Sequence, residues 1–195
     1  IDACLVGSEM CIRDSKKIIG DRDLILIEDN CESLGSQFEN KFTGSFGLMG
    51  TFSSFFSHHI STMEGGMVIT DDEELYHILL CLRAHGWTRN LPRENHVSNK
   101  SEDLFTESFR FVLPGYNVRP LEMSGAIGIE QLKKLPKLLT QRRNNAEYFL
   151  QEFSSDDRFI LQKETGVSSW FGFSLILREG ERKTLINLLD EHKIE

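Results

Sequence analysis

Apolar residues fall in this chain at two spacings, and each spacing points to a kind of element. Residues 24–27 (LILI) are a short unbroken apolar run, the pattern of a parallel strand buried on both faces. Residues 51–70 read TFSSFFSHHISTMEGGMVIT. Phe52, Phe55 and Phe56 lead into a polar stretch, and Met67, Val68 and Ile69 follow it. That order predicts a buried strand, a tight polar loop and a second strand. Gly65-Gly66 marks a turn or a close backbone approach. Residues 35–42 predict a strand, a turn near Asn40-Lys41 and a returning strand.

Helical spacing takes over elsewhere. Residues 16–23 read as the end of a helix. Asp71-Asp72-Glu73-Glu74 is an acidic first turn, which suits the helix dipole. Leu75, Ile78, Leu79 and Leu82 then mark a core stripe, and Gly86 is a plausible stop. Residues 131–153 predict a long amphipathic helix with Leu138, Leu139, Ala146, Phe149, Leu150 and Phe153 on one face. Arg142, Arg143 and Asn144 are expected in solvent, and Pro136 is expected to part this helix from the one before it. Residues 170–177 read as a strand and 182–192 as a helix carrying Leu185, Leu188 and Leu189 on one face. Such alternation of strands and helices is the α/β pattern. Residues 87–107 are polar and poorly periodic, as functional or mobile loops are.

Composition narrows the function classes. The chain has 195 residues, 39% apolar and 27% charged, ordinary for a globular protein. A formal charge of −8 with no basic block argues against a nucleic-acid partner. No apolar run is long enough to span a membrane. Cys4, Cys11, Cys31 and Cys81 have neither metal-ligand spacing nor the look of a disulfide framework, so reduced thiols and a cytoplasmic setting are expected. Residues 1–15 lack the architecture of a signal peptide and resemble translated adapter read-through. They are expected to be a non-native leader.

Read as bare chemistry, three features stand out. Asp29 ends the first apolar run, where a carboxylate is either a helix cap or a ligand group. His58-His59 lies after the aromatic strand, at the kind of strand end where α/β sites form. These imidazoles are satisfied loop groups or catalytic ones. Zinc is the weaker reading, because adjacent histidines do not share a face and no third ligand is evident. Gly44, Gly47 and Gly50 do not form the dinucleotide fingerprint.

The same words carry a resemblance. The strand before His58, the Glu64-Gly65-Gly66 turn, the Arg83-Ala84-His85-Gly86 segment and residues 115–128 (GYNVRPLEMSGAIG) resemble the DegT/DnrJ/StrS family. These are pyridoxal-phosphate enzymes acting on nucleotide-linked keto-sugars. The resemblance implies an α/β, fold-type-I PLP-dependent transferase fold, incomplete here. Residues 16–135 would be the C-terminal part of the large αβα domain and 136–195 the start of the small α/β domain.

The family lysine that holds the cofactor as a Schiff base falls on His58. Histidine at this place is similar to the 3-dehydratase branch. Within it the resemblance implies His58 as catalytic base, His85 as a second catalytic group, and His59 as a neighbour orienting the loop, with the two adjacent roles open to exchange. It implies Asp29 on the pyridinium nitrogen, Glu32 against the ring, Ser53 on the phosphate, and Asn117 reaching the cofactor phosphate of a partner subunit in a homodimer. The cofactor would be pyridoxal 5′-phosphate or pyridoxamine 5′-phosphate, held noncovalently, with glutamate regenerating the amine form. The 87–107 loop lacks the clustered cysteines of the iron–sulfur 3-dehydratases, so no iron–sulfur cluster is expected. The implied reaction removes the C3 hydroxyl of a 4-keto-6-deoxy sugar, releasing ammonia, within deoxysugar and surface-polysaccharide biosynthesis. An aminotransferase with another proton shuttle, or a noncatalytic cofactor-binding paralogue, are the alternatives.

Overall fold

The computed structural model describes residues 9–194. The strands that carry the site form one three-stranded sheet in the order β1 (Ile27–Asp29), β4 (Met49–Ser53), β5 (Gly66–Ile69). β1 and β4 are parallel, with Ile27 opposite Met49 and Asp29 opposite Thr51. β4 and β5 are antiparallel, with Ser53 opposite Gly66. The parallel pair therefore ends at the same edge, and Asp29 and Ser53 are its last residues. Between β1 and β4 lies a small hairpin, β2 (Gln37–Phe38) and β3 (Lys41–Phe42). Its turn sits at Glu39-Asn40, both with positive φ (51° and 62°), the left-handed pairing that two-residue hairpin loops need.

The apolar run at 24–27 supplies less strand than its pattern predicts. Of this run only Ile27 lies within a strand, Leu26 adding one carbonyl bond from the Leu48 N–H (2.8 Å), and Leu24, Ile25 and Ile27 are exposed. All four residues of β5 are exposed too. The expected burial on both faces fails because nothing among the described residues covers those sides.

Helix α1 (Glu9–Ile19) crosses the expected leader boundary at residue 15, and Ile12 within it is buried. Residues 1–8 of that leader lie outside the described residues. Helix α2 (Glu73–Leu82) begins where the acidic turn predicts. Asp72 caps it by accepting from the Leu75 N–H (2.8 Å). Its fully buried residues are His77 and Cys81, while the predicted leucine stripe is half-buried. The short helix α3 (Leu104–Ser108) interrupts the polar loop, capped by Asp103.

Helix α4 (Glu122–Phe153) is the main departure. It is one helix of 32 residues with Pro136 inside it, not two helices parted there. Proline removes a single backbone donor, and a long helix keeps the bonds on either side. The chain then forms the antiparallel pair β6 (Phe159–Leu161) and β7 (Leu175–Leu177), and helix α5 (Arg182–Glu191). β6 has no counterpart in the sequence reading, and residues 170–174 expected in a strand lie in an irregular segment.

Candidate active site

Side chains alternate along a strand, and at β1 that alternation sends two adjacent carboxylates to different tasks. Glu28 points inward and is buried. It accepts backbone N–H bonds from Gly44, Phe46 and Gly47 (2.5–2.7 Å) and so ties the 43–47 loop to the sheet. Asp29 points to the exposed side. Its Oδ1 accepts from the Cys31 N–H (3.1 Å) and the Thr51 hydroxyl (3.3 Å). The bonds from Cys31, ahead of that from Thr51, hold the Asp29 carboxyl below its usual range, so it is ionised near neutral pH. Among the described residues, no hydrogen bond engages Oδ2. Glu32 is half-buried three residues on, and its charge is among those raising the neighbouring Cys31 thiol, behind burial and Asp29.

The carboxyl end of β4 adds the next group. The Ser53 hydroxyl oxygen accepts from the Phe55 N–H (3.2 Å), which leaves its proton to donate. The Phe55 carbonyl in turn accepts from the His58 N–H (3.0 Å). Ser53 and His58 are thus joined through one turn of backbone.

The two histidines differ. His59 is buried, its Nε2 lies 3.3 Å from the Ser169 carbonyl, and burial followed by the positive charge of Arg142 pushes its pKa down to about 4. A carbonyl only accepts, so Nε2 carries the proton of this neutral ring. His58 is half-buried, between Phe55 (ring centroids 5.9 Å apart) and Phe171 (5.2 Å). Its Nδ1, like that of His59, is buried without a hydrogen-bond partner.

His85 and Asn117 form a second group. His85 is exposed, with φ at 62°, and its N–H donates to the Tyr116 carbonyl (2.8 Å). Ala84 and Asn117 face each other in an antiparallel bridge. No hydrogen bond or ring contact among the described residues joins this pair to His58.

An orphaned ring nitrogen, an ionised carboxylate with a free oxygen and a hydroxyl with a free proton are what a protonated pyridine ring bearing a phosphate requires, so the residues fit such a cofactor. Glu28, Thr51, Arg142 and Phe171 also line or brace this region. Of these only Glu28 had a signal in the sequence, since strand alternation already set it opposite Asp29.

The sheet end that carries these groups is that of an α/β fold. The chain belongs to the DegT/DnrJ/EryC1/StrS aminotransferase family, whose sequence model matches residues 2–195. It is 63% identical over 195 residues to the GDP-4-keto-6-deoxy-D-mannose 3-dehydratase of Escherichia coli O55:H7, covering 98% of this chain and 50% of that protein. A solved structure of the E. coli enzyme with bound hydrated PLP superposes with a TM-score of 0.93 at 63% identity, over 98% of this chain and 50% of the other. A variant of GDP-4-keto-6-deoxymannose-3-dehydratase with bound GDP-perosamine gives 0.94 at 62% identity, over 98% and 50%. The chain spans about half the length of the curated relatives it matches.

Proposed function

We propose that the protein is a cofactor-dependent 3-dehydratase of a GDP-linked 4-keto-6-deoxy sugar, with 4-keto-6-deoxymannose as the sugar. The observation that carries the reading is His58 itself. It follows β4 where family members place lysine, and it presents an unpartnered buried Nδ1. Identity of 63% to a protein named for this reaction supports the choice of sugar and nucleotide.

When bound, pyridoxamine 5′-phosphate supplies an amine for the 4-keto group and a ring that takes up an electron pair. The chain's own residues do the rest. Asp29 would accept from the ring N–H and would keep the nitrogen protonated. The Ser53 hydroxyl would donate to a phosphate oxygen, and Glu32 would lie against the ring. His58 would take and return the proton, a task an imidazole can perform. Having no primary amine, it cannot hold the cofactor covalently as lysine does. His59, neutral and tied to the Ser169 carbonyl, holds the loop. His85 would be a second acid/base group, and Asn117 would reach the phosphate of a partner subunit in a homodimer. Glutamate restores the amine cofactor.

The test uses a protein of the relatives' full length with pyridoxamine 5′-phosphate, glutamate and GDP-4-keto-6-deoxymannose. Mass analysis should find ammonia and a sugar without its C3 oxygen. His58→Asn should lower turnover by roughly 100-fold or more, as loss of a general acid/base does. An amino-sugar product, or undiminished dehydration by His58→Asn, overturns the reading.

A further inference from the structure

Residues 167–171 form a strap between β6 and β7 with no regular element of its own, yet Ser168, Ser169 and Trp170 are buried. The strap is held from three sides. Val167 exchanges two backbone bonds with Gln37, each 2.8 Å. Ser169 meets Ser36 twice, through N–H to hydroxyl (2.9 Å) and hydroxyl to hydroxyl (3.0 Å). From α4, Arg143 donates to the carbonyls of Ser168 and Gly35 (3.0 Å each), and Arg142 donates to those of Trp170 (2.9 Å) and Phe171 (3.2 Å). Trp170 has φ at 49°. A left-handed tryptophan costs on the order of 1–3 kcal/mol and persists only where its surroundings over-determine it.

What the strained, clamped segment delivers is the ring of Phe171. That ring lies 5.2 Å from His58 and 5.8 Å from His59, centroid to centroid, with the Arg142 guanidinium 5.9 Å from it. Histidines that move protons are commonly oriented by a hydrogen bond to the second ring nitrogen. Among the described residues, His58 has no such bond at either nitrogen. Its imidazole is oriented by packing between Phe55 and Phe171 instead.

We propose that Phe171, clamped at its carbonyl by Arg142, is a positioning residue that sets the His58 imidazole for proton transfer; this rests on the reading of His58 as the acid/base group. The full-length enzyme is compared with Phe171→Leu, which keeps apolar bulk but loses the aromatic face, Phe171→Tyr, which keeps the ring, and Arg142→Met, which releases the clamp.

Two readouts separate positioning from mere stability. In steady-state kinetics, Phe171→Leu should lower kcat by roughly 10- to 100-fold with KM within about twofold, the range a small misplacement of a reacting group produces. Phe171→Tyr should recover most of it, and Arg142→Met should fall between. In protein labelled with 13C-histidine and carrying no substrate, the ring signals of His58, assigned by their loss in His58→Asn, should move and broaden in Phe171→Leu and Arg142→Met and stay near the parent's in Phe171→Tyr. His58 signals unmoved in Phe171→Leu, or a raised KM with unchanged kcat, overturn the proposal. If Phe171→Leu does not fold, Arg142→Met supplies the same two readouts. A parent enzyme that gives no dehydration product overturns the functional reading alone, and the ring signals then decide the positioning role by themselves.

Discussion

His58 and His59 are neighbours in sequence with opposite surroundings, and the difference makes a pH-dependent prediction. His59 is buried beside Arg142, and its pKa is lowered from 6.5 to about 4. Above 6.5 the ring is neutral whether the chain is folded or not, so its contribution is level there. Between about 6.5 and about 4 the unfolded chain binds a proton that the native one refuses, and stability falls as the pH falls. The loss should approach roughly 3 kcal/mol by the low end of that window, about 2 kcal/mol of it by about pH 5. The comparison is with His59→Gln, whose amide still donates to the Ser169 carbonyl but does not titrate. Urea unfolding of the full-length protein at about pH 7.5 and about pH 5 should show the parent losing more stability than His59→Gln, other carboxylates contributing equally to both. Equal losses would mean that His59 is not held neutral. Asp29 obeys the opposite logic. Hydrogen bonds from Cys31 and Thr51 depress it, so it stays charged over the same window and available to a ring nitrogen.

At the scale of elements, the Arg83-Ala84-His85-Gly86 segment depends on one glycine. Gly86 has φ at +83°, and a Cβ there would sit 1.8 Å from the Leu113 carbonyl oxygen. Gly86→Ala must therefore push apart the strand contact that carries His85 and Asn117. The expected outcome is a loss of stability of about 3 kcal/mol or more with lowered turnover, read by thermal unfolding and steady-state kinetics. An unchanged melting midpoint would contradict the close approach. The elements that were legible in the sequence are those fixed by local pattern. The β4–β5 hairpin, the β2–β3 turn, α2 and α5 follow from periodicity and turn chemistry alone. The groups that were not legible answer to distant partners. Arg142 and Arg143 sit among polar positions of α4, which reads as solvent, yet they clamp carbonyls 25 to 29 residues further on. No spacing rule announces such a contact. The candidate site divides in the same way. Asp29 could be placed at a strand end from the sequence and Ser53 came from the family resemblance, while the place of Phe171 beside His58 needed the strap folded back.

For the whole molecule, the exposed apolar surface decides behaviour in solution. Leu24, Ile25 and Ile27 at one side of the sheet, and Met67, Val68 and Ile69 at the other, lie open. So do Tyr116, Val118, Leu121 and Met123 at the start of α4. Apolar surface gathered this way, beside sheet edges with unpaired backbone groups, favours association. The chain spans about half the length of its curated relatives. Residues 1–195 expressed alone should self-associate, bind a hydrophobic dye and unfold over a broad range rather than in one cooperative step. A protein of the relatives' full length should elute as a discrete species with a sharp transition. Size-exclusion chromatography with light scattering and calorimetry on both proteins distinguishes the cases. A monomeric, cooperatively unfolding 195-residue chain would show that the sheet is self-sufficient with its faces open. The expected contrast instead makes the site a property of the completed sheet. On that account Asp29, Ser53 and His58 keep their local geometry in the isolated chain, and a tightly held cofactor appears only when both faces are covered.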